Sequence, residues 1–100
     1  MKTPKSRLVL VLHAISRARE RYDVNFTASD IDKISVMIRG GKATHIDTQS
    51  STRTVWAVEY AGLVLPVVYN KQHNTVVTFL PSYKLHDWRE EGRIPETETC

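Results

Sequence analysis

Residues 55–81 read VWAVEYAGLVLPVVYNKQHNTVVTFLP, and this run decides the fold. Side chains of an extended chain point alternately to opposite faces. Trp56, Val58 and Tyr60 therefore face one way and Val55, Ala57 and Glu59 the other, in a strand covering residues 53–60. Ala61-Gly62 makes a tight turn, and Leu63 to Tyr69 follows as a nearly unbroken apolar strand. Pro66 interrupts it. A proline has no ladder donor, so that position is expected at an edge or a bulge. Asn70 to Asn74 reads as a polar hairpin loop and Thr75 to Leu80 as a further strand, stopped by Pro81. Upstream, residues 43–49 alternate more weakly and complete a set of four strands.

Working back towards the N-terminus, the period changes from two to that of a helix. Ile31, Ile34 and Ile38 form an apolar stripe that Gly40-Gly41 ends. Thr27 is its N-cap, with Asp30 three residues on as in a capping box, and Phe26 ahead of the cap is placed to staple onto Ile31. From Arg7 to about Tyr22 a first helix is predicted, with Leu8, Val11, Leu12, Ile15, Ala18 and Tyr22 as its buried side. LVLVL alone suits a strand equally well; the alanines and charges that follow it favour helix. Beyond Pro81, Tyr83 to Glu90 reads as a short helix, followed by a frayed tail. The expected fold is α+β, with two N-terminal helices packed on one face of a four-stranded, mainly antiparallel sheet. Residues 1–6 are a flexible leader, 7–81 the domain and 82–100 an acidic C-terminal segment.

Composition narrows the class. A chain of 100 residues with 41% apolar and 25% charged side chains is one globular domain with one modest core. It carries 14 Lys and Arg against 11 Asp and Glu. Asp87, Glu90, Glu91, Glu96 and Glu98 crowd the last part, so the remainder is more basic than the whole. That balance admits a polyanionic partner. The lone cysteine, Cys100, excludes an intrachain disulfide and points to a reducing, cytoplasmic setting. No stretch is long enough for a membrane span, and Leu8–Leu12 is too short for a signal peptide. There is no P-loop, dinucleotide fingerprint, HExxH or serine-hydrolase elbow, so neither a metal nor a cofactor is expected. His45 and Asp47 share a strand face, but no third ligand is specified.

The charges of the first helix are ordered. With Leu8 at 0°, His13, Arg17 and Arg21 fall at about 140°, 180° and 220°, one stripe away from the apolar side. Arg19 falls near 20°, at or beneath the core stripe. Glu20 is placed to pair with His13 or Arg17. Such a stripe is either a solvated surface or a phosphate-binding face. Histidine exchanges protons near neutral pH and arginine holds phosphate in a bidentate fork, while RNA carries its own nucleophile in the 2′-hydroxyl. Thr78 is either a space-filling strand residue or a positioning hydroxyl. Tyr60 and Tyr69 are either core bodies with polar tips or base-stacking platforms. His73, in a loop, and His86, near the tail, are expected to be exposed.

HAISRARERYDVNFTASDIDKISVMIRGG, followed by VWAVEYAGLVLPVVYNKQHNTVVTFLP, resembles the ribonuclease-toxin superfamily that unites barnase, the EndoU enzymes, ribonuclease colicins and the RelE toxins. It is similar in style to short phage- and polymorphic-toxin-associated members. The resemblance covers about Arg7 to Pro81; Asn70 stands where similar sequences often have Asp. It implies metal-independent RNA cleavage. It makes His13 the helix-borne acid or base, Arg17 and Arg21 phosphate-binding or structural arginines, and Tyr69 and Thr78 strand residues near the scissile phosphate. Lys42, Arg53 and Lys71 join Arg21 as expected RNA contacts. The expected partner is RNA, with a cognate inhibitor or host protein beside it. The competing expectation is a non-catalytic phage accessory protein that binds a host protein or nucleic acid.

Overall fold

The computed structural model describes residues 7–93. Helix α1 spans Arg7–Tyr22 and α2 spans Ala28–Arg39. Strands β1 Thr44–Thr48, β2 Arg53–Tyr60, β3 Leu63–Asn70 and β4 Thr75–Phe79 follow, then α3 Tyr83–Glu90. The strands form one antiparallel sheet in the order β1-β2-β3-β4. The fold is therefore α+β, as the alternation in residues 53–80 requires. The leader expected at residues 1–6 and the tail from residue 94 lie outside the described residues.

The two hairpin turns set the register. Ala61 and Gly62 have φ of 55° and 78°, the double left-handed conformation of a tight two-residue hairpin. It aligns Tyr60 with Leu63 and runs without slip to Arg53 opposite Asn70. At the other end, the Asn70 side-chain oxygen accepts from the Gln72 and His73 amides at 2.8 and 3.0 Å, shaping the β3–β4 loop. The β3–β4 ladder then shifts between Val68 and Tyr69, which leaves Val77 as an extra residue on β4.

The front face of the sheet carries the larger core. Ile31, Ile34 and Ile38 of α2 join Val58, Leu65, Val67, Val76 and Phe79, with Val11, Ala14 and Ala18 of α1. The capping box forms: Thr27 Oγ1 accepts the Asp30 amide at 3.3 Å, and the Asp30 carboxylate accepts the Thr27 amide at 2.8 Å. The Tyr60 hydroxyl donates to the same carboxylate at 2.5 Å, joining the first turn of α2 to the end of β2. Those bonds hold the Asp30 carboxyl below its ordinary range and raise the Tyr60 hydroxyl. Gly41, at φ 78°, closes α2 with bonds from the Lys42 amide to Met37 and the Gly41 amide to Ile38. Fully buried Ser35 donates to the Ile31 carbonyl at 2.8 Å and accepts the Val76 amide at 3.1 Å.

The back face differs from expectation, because the acidic segment covers it. Leu85 and Trp88 of α3 pack on Val55, Ala57, Val68 and Val77, together with Leu10 of α1. The sheet is thus sandwiched between α1/α2 and α3. Gly92, at φ 75°, closes α3.

Helix α1 is rotated by roughly 80° from its expected setting. Its buried residues are Leu10, Val11, Ala14 and Ala18, whereas Leu8 and Leu12 are 62% and 55% exposed. The reason is its position along β4, the outer strand. There Val11, Ala14 and Ala18 turn to the front core while Leu10 reaches the back one. Arg19, expected near the core, is exposed. Pro66 also needs correction, since β3 is an interior strand. Its position lies where the β4 ladder ends: Leu80 donates its amide to the Pro66 carbonyl at 2.7 Å, and proline has nothing to return. The Tyr22 hydroxyl fills that place, donating to the Leu80 carbonyl at 2.5 Å. Burial pushes the Tyr22 hydroxyl up to about 12.

Candidate functional site

Two clefts open at the same end of the sheet, on opposite faces. The back cleft, about 180 Å³, is lined by Val9, Leu10 and His13 of α1, Arg53 of β2, and Val77 and Thr78 of β4. Arg53 shares the face of Val55 and Ala57 by strand alternation. Thr78 pairs with back-facing Val68, and the bulge lets its neighbour Val77 occupy the back core as well. Plain strand alternation would set Thr78 opposite Val77; the extra residue instead brings both to the back face. Exposed His13 stands at the rim. Among the described residues Arg53 has no carboxylate partner, and no carboxylate lines the cleft.

The every-fourth-residue stripe divides. His13 lines the cleft, but Arg17 does not; its guanidinium is held by Glu20 at 2.8 Å. Arg21 is exposed on the helix and Lys42 is exposed just beyond the α2 cap, and neither lines either of these two clefts. The expected group of His13, Arg17, Tyr69 and Thr78 therefore does not assemble: His13 and Thr78 come together, with Arg53. Tyr69 lies on the other side of the sheet, its ring 4% exposed in the front core.

The front cleft, about 420 Å³, opens where α2 ends and leaves the sheet uncovered. The Tyr69 hydroxyl reaches it, 3.4 Å from both the Arg39 guanidinium and the Asn74 side-chain oxygen. Arg39 donates to the Asn74 carbonyl at 2.9 Å, tying the helix end to the β3–β4 loop. Trp56 lines the floor with its indole N–H bonded to Thr54 at 2.7 Å. The β1–β2 register sets His45 opposite Trp56, with ring centroids 5.0 Å apart and planes at 77°. His45 Nε2 also meets the Thr48 hydroxyl at 3.2 Å. Lys71 completes the lining and, like Arg53, has no acidic partner among the described residues.

Arg39, His45 and Trp56 were not anticipated as neighbours. Only the pairing of β1 with β2 and the exit angle of α2 bring them together. The reading of His45 and Asp47 on one face also fails. A register shift between them turns Asp47 to the opposite side, into a groove with Lys84, Trp88 and Arg93. Among the described residues no three potential ligands cluster for a metal. No helix among the described residues is long and apolar enough to cross a membrane. His86 is exposed as expected, but His73 is half-buried in its loop.

The clefts are close neighbours across the strand ends. Arg53 pairs with Asn70, and the Lys71 amide donates to the Thr52 carbonyl at 2.7 Å, so Arg53 and Lys71 flank one rim from opposite faces. Comparison with protein-family models, curated proteins and solved structures finds no match to this chain.

Proposed function

We propose that this chain is a metal-independent ribonuclease domain whose reacting site is the back cleft. One observation carries the reading: His13, Arg53 and Thr78, from three separate elements, line a single cleft to which none of the described residues contributes a carboxylate. It agrees with the resemblance of residues 7–81 to the barnase–EndoU–colicin–RelE superfamily, with Arg53 taking the place expected of Arg17. In this reaction His13 accepts the 2′-hydroxyl proton, the 2′-oxygen forms a bond to phosphorus, and the bond to the 5′-oxygen breaks. The leaving oxygen is protonated from solvent at the open rim. A 2′,3′-cyclic phosphate and a 5′-hydroxyl result. Arg53 neutralises the charge growing on the non-bridging oxygens, and the Thr78 hydroxyl donates to one of them.

The test is cleavage of a labelled oligoribonucleotide in the presence of chelator, followed by analysis of the ends. Cyclic-phosphate ends are expected, with the rate lowered at least about 100-fold in His13→Ala. Undiminished cleavage by that variant removes His13 from the mechanism, and no cleavage of any RNA removes the enzyme reading.

A second reading rests on the exposed side of α1, where Leu8, Val9 and Leu12 are 62%, 50% and 55% exposed. Under it the chain is a non-catalytic accessory protein that presents this apolar strip to a protein partner. Wild-type protein inactive on RNA, with a partner lost on Leu8→Lys and Leu12→Lys substitution, is the pattern it requires.

A further inference from the structure

We infer that the front cleft is a base-holding subsite, so that a bound single strand of RNA contacts both faces of the sheet by passing over the Thr52–Lys71 rim. The inference rests on the RNA reading above and adds to it the place where a nucleotide remote from the scissile phosphate is gripped.

Three features of the cleft suit a nucleotide. The first is an aromatic wall whose orientation is already set. The Trp56 indole is tethered to Thr54 and flanked by the His45 ring, so little side-chain freedom is lost when a base stacks there. The second is charge: Arg39 and Lys71 border the cleft and, among the described residues, no carboxylate lines it. Arg39 is held by the Asn74 carbonyl, a neutral partner, and has no carboxylate partner among the described residues. The third is a set of neutral donors and acceptors, Thr48, Tyr69 and Asn74, that line the same cleft as Trp56.

The position of the cleft joins it to the reacting site. Arg53 opens β2 and Lys71 follows directly on the end of β3, so they stand at the same sheet end and line clefts on opposite faces. Stacked sheets pack about 10 Å apart, so one sheet with its side chains is about that deep, a distance that a few nucleotides of extended backbone span. A strand that follows the cations runs from Arg53 over the rim to Lys71, and its next base meets Trp56. Thr52 at the rim is a half-buried neutral residue, with no acidic side chain to repel the backbone.

The two tryptophans separate the faces optically, since Trp56 lines the front cleft and Trp88 is buried at 7% exposure behind the sheet. The probe is a 2′-O-methyl oligonucleotide of about eight residues, which lacks the nucleophile and cannot be cleaved. Intact protein is titrated with it, following tryptophan emission and, with a labelled copy, anisotropy. Quenching is expected in wild type and in Trp88→Phe, and its loss in Trp56→Phe. Affinity is expected to fall about tenfold or more in Trp56→Ala and in the surface variant Lys71→Glu, each checked for a native melting transition. Quenching that survives Trp56→Phe, or wild-type affinity in both Trp56→Ala and Lys71→Glu, overturns the subsite. The two proposals fail separately. Expected quenching in a protein that never cleaves RNA leaves the base site standing and removes the chemistry given to His13. Cleavage without quenching does the reverse.

Discussion

The two faces of the sheet are built on opposite plans. The front is covered by α1 and α2, which bury Ile31, Ile34, Phe79 and Leu65 completely and leave an open end with a fixed aromatic floor. The back is covered by α3, an eight-residue helix anchored mainly through Leu85 and Trp88, and its cleft is framed by the exposed side of α1. Stability is concentrated on one face, while the proposed chemistry occupies the other. The binding surface given to RNA draws on both.

That contrast can be broken by mutation. The largest effect is expected from Phe79→Ala, which empties the front core and costs about 3–5 kcal/mol, enough to threaten a domain of this size. Leu85→Ala on the back is expected to cost closer to about 2 kcal/mol, the low end for such truncations, because a short surface helix can settle into the space. Denaturant melts of both variants check the ranking, and equal losses would show that the two faces share one core. Ser35→Ala sharpens the comparison within the front. It strands the buried Val76 amide and is expected to cost about 1–3 kcal/mol.

The smallest effect tests the tie between α1 and the end of β4. Tyr22→Phe removes the bond to the Leu80 carbonyl and is expected to cost about 1 kcal/mol at neutral pH. The Tyr22 hydroxyl has its folded value raised to about 12 from 10, so the unfolded chain loses this proton first as pH rises. Its contribution is full below about pH 10 and is lost as pH climbs through 12. Wild type should therefore lose stability more steeply than Tyr22→Phe between about pH 10 and 12. Parallel slopes in urea melts would show that the hydroxyl does not carry this linkage.

Local chemistry made much of this architecture legible. Thr27 and Asp30 cap α2, Gly40-Gly41 end it, and Ala61-Gly62 turns the central hairpin, because each depends on side chains within a few residues. The facing of Trp56 against Val55 followed from alternation in the same way. The rotation of α1 did not, since five consecutive apolar residues, Leu8 to Leu12, give a helix no unique inner side. Its setting was decided by β4. The facing of Thr78 was hidden because a bulge adds one residue without any glycine or proline to announce it. Of the candidate site, His13, Thr78 and Arg53 were named from the chain and share a cleft. Arg17 was assigned by spacing and by the resemblance; of the two partners open to Glu20, His13 or Arg17, it is Arg17 that Glu20 holds. His45 and Trp56 required the β1–β2 register, which depends on pairing between separate strands.

The lie of α1 along β4 has a consequence for the fate of the protein in a crowded solution. An outer strand is a template for addition of a foreign strand, and proteins protect such edges by covering or deforming them. Here β1 is short and broken by the shift at His45 and Asp47, while β4 is sheltered by α1. The helix that carries His13 is therefore also an insulator. Anything that lifts it off uncovers the β4 margin in the same motion that dismantles the back cleft, so inactivation and self-association are coupled in this fold.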